Sequence, residues 1–99
     1  MKVSFSPESL AEVEDATRRY LDNGGMTPSR AFAQELKRVV ALATENPRMA
    51  SSDAFGISRL YFKRFPYTLI FRIQDESLRI IAVAHQSRRP GYWQSRIDR

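Results

Sequence analysis

Tyr67-Thr68-Leu69-Ile70-Phe71-Arg72-Ile73, the polar turn Gln74-Asp75-Glu76-Ser77, and then Leu78-Arg79-Ile80-Ile81-Ala82-Val83-Ala84-His85 form the stretch that decides the fold. Branched and aromatic side chains fill both apolar runs, which suits a pleated strand better than a helix. A third run, residues 57–65, lies just upstream and is cut off from its neighbour by Pro66. Residues 57–65, 67–73 and 78–85 therefore predict a three-stranded antiparallel meander. In the last run, strict alternation puts Leu78, Ile80, Ala82 and Ala84 on one face and Ile81, Val83 and His85 on the other. A strand apolar on both faces is expected in the centre of a sheet.

Working outward to the N-terminus, Lys2 to Phe5 alternate and are too few for a helix, so they predict an edge strand. Ser6-Pro7 then reads as a helix start, because serine caps free amides and proline suits the first helical position. Leu10, Val13, Thr17, Tyr20 and Leu21 share one helical face until Asn23-Gly24-Gly25 ends it. Thr27-Pro28 repeats the start signal, Phe32, Leu36, Val39, Val40 and Ala43 form a second stripe, and Asn46-Pro47 stops it. So short a connection predicts an αα-hairpin. Residues 48–56 have no periodicity and read as a loop. Beyond His85, the segment Ser87-Arg88-Arg89-Pro90-Gly91-Tyr92-Trp93-Gln94-Ser95-Arg96-Ile97 reads as a basic loop leading into a short helix or turn. The expected class is α+β, one domain over residues 1–99.

Composition narrows the chemistry. With 99 residues there is room for one modest core. No cysteine is present and there is one histidine, so no disulfide, thiolate site or histidine-rich metal site is expected, and neither metal nor cofactor is anticipated. The chain shows no apolar run of membrane-spanning length and no signal-peptide stretch at Met1-Lys2-Val3-Ser4-Phe5, so a cytoplasmic location without membrane association is expected. Charge is uneven along the chain. Residues 1–50 hold seven Lys/Arg and seven Asp/Glu, whereas residues 51–99 hold nine against four, which accounts for the whole net charge of +5. Eight of those nine cations are arginine, the side chain that forks onto carboxylates and phosphates and stacks on flat rings. The C-terminal half is expected to face an anionic partner.

The element order, together with Phe65-Pro66-Tyr67-Thr68-Leu69-Ile70-Phe71-Arg72 and the ending Ile80-Ile81-Ala82-Val83-Ala84-His85-Gln86-Ser87-Arg88-Arg89-Pro90-Gly91-Tyr92-Trp93, resembles the RelE/ParE toxin superfamily, and its ParE branch in particular. The resemblance covers nearly the whole chain. It implies the toxin of a type II toxin–antitoxin pair, non-catalytic, acting on DNA gyrase and neutralised in a hetero-oligomer with a ParD-like antitoxin. Arg88, Arg89, Tyr92, Trp93 and Arg96 are then the candidate target-interaction surface. The RelE branch implies a different activity, metal-independent endoribonuclease cleavage of messenger RNA on the ribosome. A third reading is a non-toxic relative that binds antitoxins.

Metal-free RNA cleavage needs a base for the 2′-hydroxyl, an acid for the leaving oxygen and cations at the phosphate. His85 and Tyr92 are candidates for proton transfer, and Arg59, Lys63 and Arg79 for charge neutralisation. Each has a structural alternative. A lone histidine at a strand end can hydrogen-bond the loop that follows, and Tyr92 and Trp93 can be the lid of a small core as readily as a stacking platform.

Overall fold

In the computed structural model, which describes residues 1–97, the chain runs β1 (Lys2–Phe5), α1 (Pro7–Gly24), α2 (Met26–Glu45), β2 (Ser51–Ser52), β3 (Ile57–Tyr61), β4 (Tyr67–Gln74) and β5 (Ser77–His85). The α+β class and the N-terminal edge strand stand as expected. One mixed sheet is formed in the order β1-β5-β4-β3-β2. The meander β3-β4-β5 is antiparallel, and β1 joins it in parallel, with Lys2 opposite Ser77 and Phe5 opposite Ile80. Such a parallel join needs a crossover, and the αα-hairpin supplies it.

The helices begin and end for local reasons. Ser6 Oγ accepts from the Ser9 amide at 3.1 Å, and Pro7 occupies the first turn. Gly25, at φ 81°, is the single residue between the helices. It ends α1 and starts α2, so the second helix begins upstream of the expected Thr27 start. Thr27 makes no cap there, and Pro28 sits in the first turn, where its missing N–H would have had no helical partner. The chain is tight at this corner: a β-carbon on Gly24 would come within 2.7 Å of the Pro28 ring.

Three sequence expectations are corrected. Residues 48–56 are more than a loop, because Ser51–Ser52 form a short edge strand against β3, with Ser52 Oγ and Ser58 Oγ 2.8 Å apart. Two serines carry no apolar period from which to read a strand. The run 57–65 leaves the sheet after Tyr61: Arg64 takes a positive φ and the turn packs Phe62 and Phe65 beneath α2 instead of extending the strand. Alternation in β5 also fails. Ile70 pairs Ala82 while Phe71 pairs Ile80, leaving Ile81 as an extra, bulged residue. Leu78 and Ile80 thus face the helices, as does Val83, whereas Ile81, Ala82 and Ala84 line the opposite face. β5 is central and buried on both faces, but its phase changes halfway.

The larger core lies between the sheet and the helices. Phe32, fully buried on α2, packs its ring 5.2 Å from Tyr67 and 5.5 Å from Phe65, while Leu69, Phe71, Leu78 and Ile80 fill the sheet side. Helix α1 contributes its small residues: Ser9 and Ala16 are buried, Val13 and Tyr20 partly so, whereas Leu10 and Leu21 remain 47% and 42% exposed. The stripe expected to face the core is therefore rotated, leaving two leucines in solvent. Replacing Leu69 by Ala should lower the unfolding free energy by about 2–5 kcal/mol, whereas Leu21→Ala should change it by no more than about 0.5 kcal/mol; urea denaturation of the two variants measures the difference.

Candidate functional site

The sheet face turned away from the helices is covered by the chain's own end. After β5, the Gln86 amide bonds Pro66 O at 2.8 Å, and turns at residues 85–88 and 89–92 lead to a single 3₁₀ turn, Gln94–Arg96. A turn, not a helix of any length, closes the described chain. Trp93 is 4% exposed and seats on Ile57, Ile70, Ile81, Ala82 and Ala84, with Tyr92 and Ile97 beside it. Trp93 is thus the lid of a second, smaller core. This segment is hereafter the strap.

One carboxylate fastens the strap to the rest of the molecule. Glu12, on α1, accepts from Arg96 through both oxygens at 3.0 Å, from the Val83 amide at 3.0 Å, and from the Tyr92 hydroxyl. Arg96 donates as well to Ile81 O at 3.0 Å. The ion pair is nearly closed to water, each side chain being 14% exposed. Burial, and then the bond to the Glu12 carboxylate, push the Tyr92 phenol well above its ordinary range. Arg88 stacks on the outer face of the Tyr92 ring, its guanidinium carbon 3.9 Å from the centroid.

A cleft of roughly 370 Å³ opens between the strap and strands β3–β5. Arg59, Tyr61, Thr68, His85, Arg88 and Arg89 are among its walls, and among the described residues no carboxylate lines it. Arg59 stands over Trp93 at 5.3 Å and makes a long contact of 3.9 Å to Asp53. Arg88 and Arg89 are exposed, and no ion pair engages them among the described residues. His85 Nδ1 accepts from the Ser87 amide at 3.0 Å, and its ring meets Tyr67 edge-on at 5.0 Å.

The candidate residues are therefore only partly brought together. Of the target-interaction set, Arg88 and Arg89 reach solvent, whereas Trp93 is buried and Tyr92 and Arg96 are engaged with Glu12. Of the nuclease set, Arg59, His85 and Tyr92 line the cleft. Lys63 lies in the turn beneath α2, its amide bonded to Glu35, and Arg79 sits at the β1 edge, donating to Ser4 Oγ and Phe5 O. Sequence reasoning missed Glu12, an acid on α1 outside the apolar stripe. It also missed Tyr61 as a wall of the cleft; after Arg59, its odd-numbered position on β3 was the available signal.

Among the described residues, no helix is long and apolar enough to cross a membrane. The model of the family described as "ParE toxin of type II toxin-antitoxin system, parDE" matches residues 3–90 of the chain. A solved structure described as "Chromosomal ParDE TA system from P. aeruginosa" superposes with a TM-score of 0.73 at 15% identity, over 86% of this chain and 95% of that one. At that identity the likeness is one of fold. No curated protein matches the sequence.

Removing Glu12 leaves the largely enclosed Arg96 guanidinium with Ile81 O alone and takes the same acceptor from the Tyr92 phenol and the Val83 amide. Glu12→Ala should cost about 3–5 kcal/mol, and the emission of Trp93, the only tryptophan, should shift to the red as the strap loosens. A phenol pKa raised in the fold adds stability that is complete below the unfolded value of about 10 and is lost as pH climbs toward the folded value. Tyrosinate absorbance on alkaline titration should accordingly show a late step that Tyr92→Phe removes.

Proposed function

Since the chain belongs to the ParE toxin family of type II toxin–antitoxin systems, we propose that it works in the cytoplasm as a toxin that inhibits DNA gyrase and is neutralised by a ParD-like antitoxin. The observation that carries the gyrase reading over RNA cleavage is the scatter of the nuclease candidates. Proton transfer and phosphate neutralisation must converge on one reacting group within hydrogen-bond reach. Here Lys63 and Arg79 stand outside the cleft, Tyr92 donates its proton to Glu12, and His85 uses one nitrogen on Ser87. What the cleft offers instead is exposed cationic surface on a fixed strap, suited to holding a target.

The antitoxin reading rests on the other side of the molecule. Leu10 and Leu21 lie eleven residues apart on α1, three helical turns, and so share one exposed stripe; Met26 is exposed where α2 begins. An amphipathic helix of the antitoxin would bury that stripe, leaving an acidic extension to reach the arginine-rich half. The related P. aeruginosa structure is described as a ParDE system, a toxin–antitoxin pair in that organism. A partner selective for the folded state raises the stability of a domain with a modest core.

In a plasmid cleavage assay with purified gyrase, the chain should cause cleaved plasmid to accumulate, and cognate antitoxin should suppress it. Arg88→Glu combined with Arg89→Glu should lower that activity at least tenfold, whereas His85→Ala should leave it within about twofold. No effect of the parent chain on gyrase, with cuts in ribosome-bound message that His85→Ala abolishes, would establish the endoribonuclease reading instead. Leu10→Glu with Leu21→Glu should weaken antitoxin binding and abolish the rise in melting temperature that antitoxin produces.

A further inference from the structure

Three features of the sheet's outer face point to a ligand more specific than a generic acidic partner. The first is an excess of positive charge: Asp53 acts on Arg59 and Arg72 from the rim, and Arg88 and Arg89 have no ion pair among the described residues. The cleft on one side of Trp93 carries Arg59, Arg88 and Arg89, and on the other side a second cleft of roughly 340 Å³ carries Arg72; among the described residues no carboxylate lines either. The strap lies between them, so the cations form a track on both flanks of it and not a single pocket.

The second feature is the pair of large rings left in solvent beside these cations. Tyr61, in the wall of the first cleft, is 62% exposed, and Phe55, in the wall of the second, is 84% exposed. Phe55 is held out by a built turn: Asp53 Oδ1 accepts from the amides of Phe55 and Ile57 at 2.8 and 3.1 Å, and Gly56 takes φ 79°. The turn fixes the backbone that carries the ring, and the ring itself stands in solvent. The third feature is spacing. The rings sit at opposite ends of β3, six residues apart, which allows a separation of up to about 20 Å. A free phosphate or a mononucleotide cannot meet both, and a duplex, whose bases are already stacked, offers its rings to neither.

We infer that this face binds a single-stranded polynucleotide, with Arg72, Arg88 and Arg89 on the phosphates and Tyr61 and Phe55 stacking on bases. Arginines along the backbone with aromatic platforms for unstacked bases are the elements of sequence-tolerant strand binding. The surface is a holding device. It goes beyond the gyrase reading, since it gives the chain a nucleic-acid contact of its own, made without any other protein.

The test uses the purified 99-residue chain, without gyrase, and fluorescein-labelled oligonucleotides about a dozen nucleotides long: oligo(dT), oligo(rU) and a DNA duplex. Anisotropy should report binding of a single strand that weakens roughly 20-fold between 50 and 200 mM salt, as expected for about three phosphate contacts. Tyr61→Ala should weaken it roughly 5- to 100-fold, and Arg88→Ala with Arg89→Ala should do so at least tenfold. Unchanged Trp93 emission shows that these variants keep the strap in place. A preference for dT over rU assigns the strand to DNA, the reverse to RNA, and either supports the surface. The inference is overturned if no strand binds at roughly 100 µM protein in 50 mM salt, if the duplex binds as tightly as the single strand, if an acidic peptide binds while neither strand does, or if the variants bind as the parent does. Because gyrase is absent, a negative result leaves the gyrase reading standing, and a chain that binds strands without poisoning gyrase separates the two in the other direction.

Discussion

Where β5 bulges at Ile81 it has also outrun β1, which ends opposite Ile80. From that point the backbone groups on its outer edge have no strand to pair with, and in a buried strand each unpaired group is costly. The rest of the structure is arranged around satisfying them. The Ser6 amide and the Ser9 hydroxyl bond Ile80 O, Ser6 Oγ and Arg96 bond Ile81 O, and Glu12 takes the Val83 amide. Helix α1 thus completes the edge of the sheet with side chains, and its first turns are fixed in direction by that task. The small residues Ser9 and Ala16 let the helix approach closely enough to do it. The same requirement turns Leu10 and Leu21 outward, so the stripe assigned to the antitoxin follows from how a bulged strand is paired.

Glu12 links this edge to the outer face. Its two oxygens serve a backbone amide of the sheet and two side chains of the strap, so moving the strap means exposing the sheet edge. In a domain this small that coupling makes the basic surface rigid without a large core beneath it; Trp93 covers a few buried or partly buried neighbours and little else. Cations held on a rigid support lose less freedom when they meet an anion than cations on a loose tail. The arginines divide accordingly: Arg96 is part of the scaffold, Arg59 is shared between a ring and a weak carboxylate contact, and Arg88 and Arg89 face solvent.

The sequence carried the class, both helices, the meander and the central position of β5, because these rest on periodicity and on turn residues that act locally. It did not carry what depends on pairing. The bulge is invisible in a run apolar at nearly every position, where a slip of one residue changes the face without changing the pattern. The β2 strand consists of two serines and exists only because β3 lies beside it. At the site, the arginine-rich ending was legible as a basic surface, but which arginines would be free was not, since that turned on an ionic partner 84 residues away in sequence. Thr27 was read as a cap on local chemistry, and Gly25, with its positive φ, displaced it by serving two helices at once.

The parallel pairing of β1 with β5 joins Lys2 to Ser77 and Phe5 to Ile80, residues 75 positions apart in sequence. Contacts of such sequence separation require the whole intervening loop to be closed before they return any stabilisation, and they form late. On the ribosome, the first strand and the start of α1 emerge long before their partner exists, and Glu12 waits for Arg96, 84 residues further along the chain. The outer face is therefore unfinished until Arg96 has been made. Whatever binds the unfinished chain meets the hairpin segment first, with Leu10 and Leu21 already made, while the arginine-bearing strap does not yet exist. The order of appearance built into this topology places the stripe assigned to neutralisation ahead of the surface assigned to toxicity.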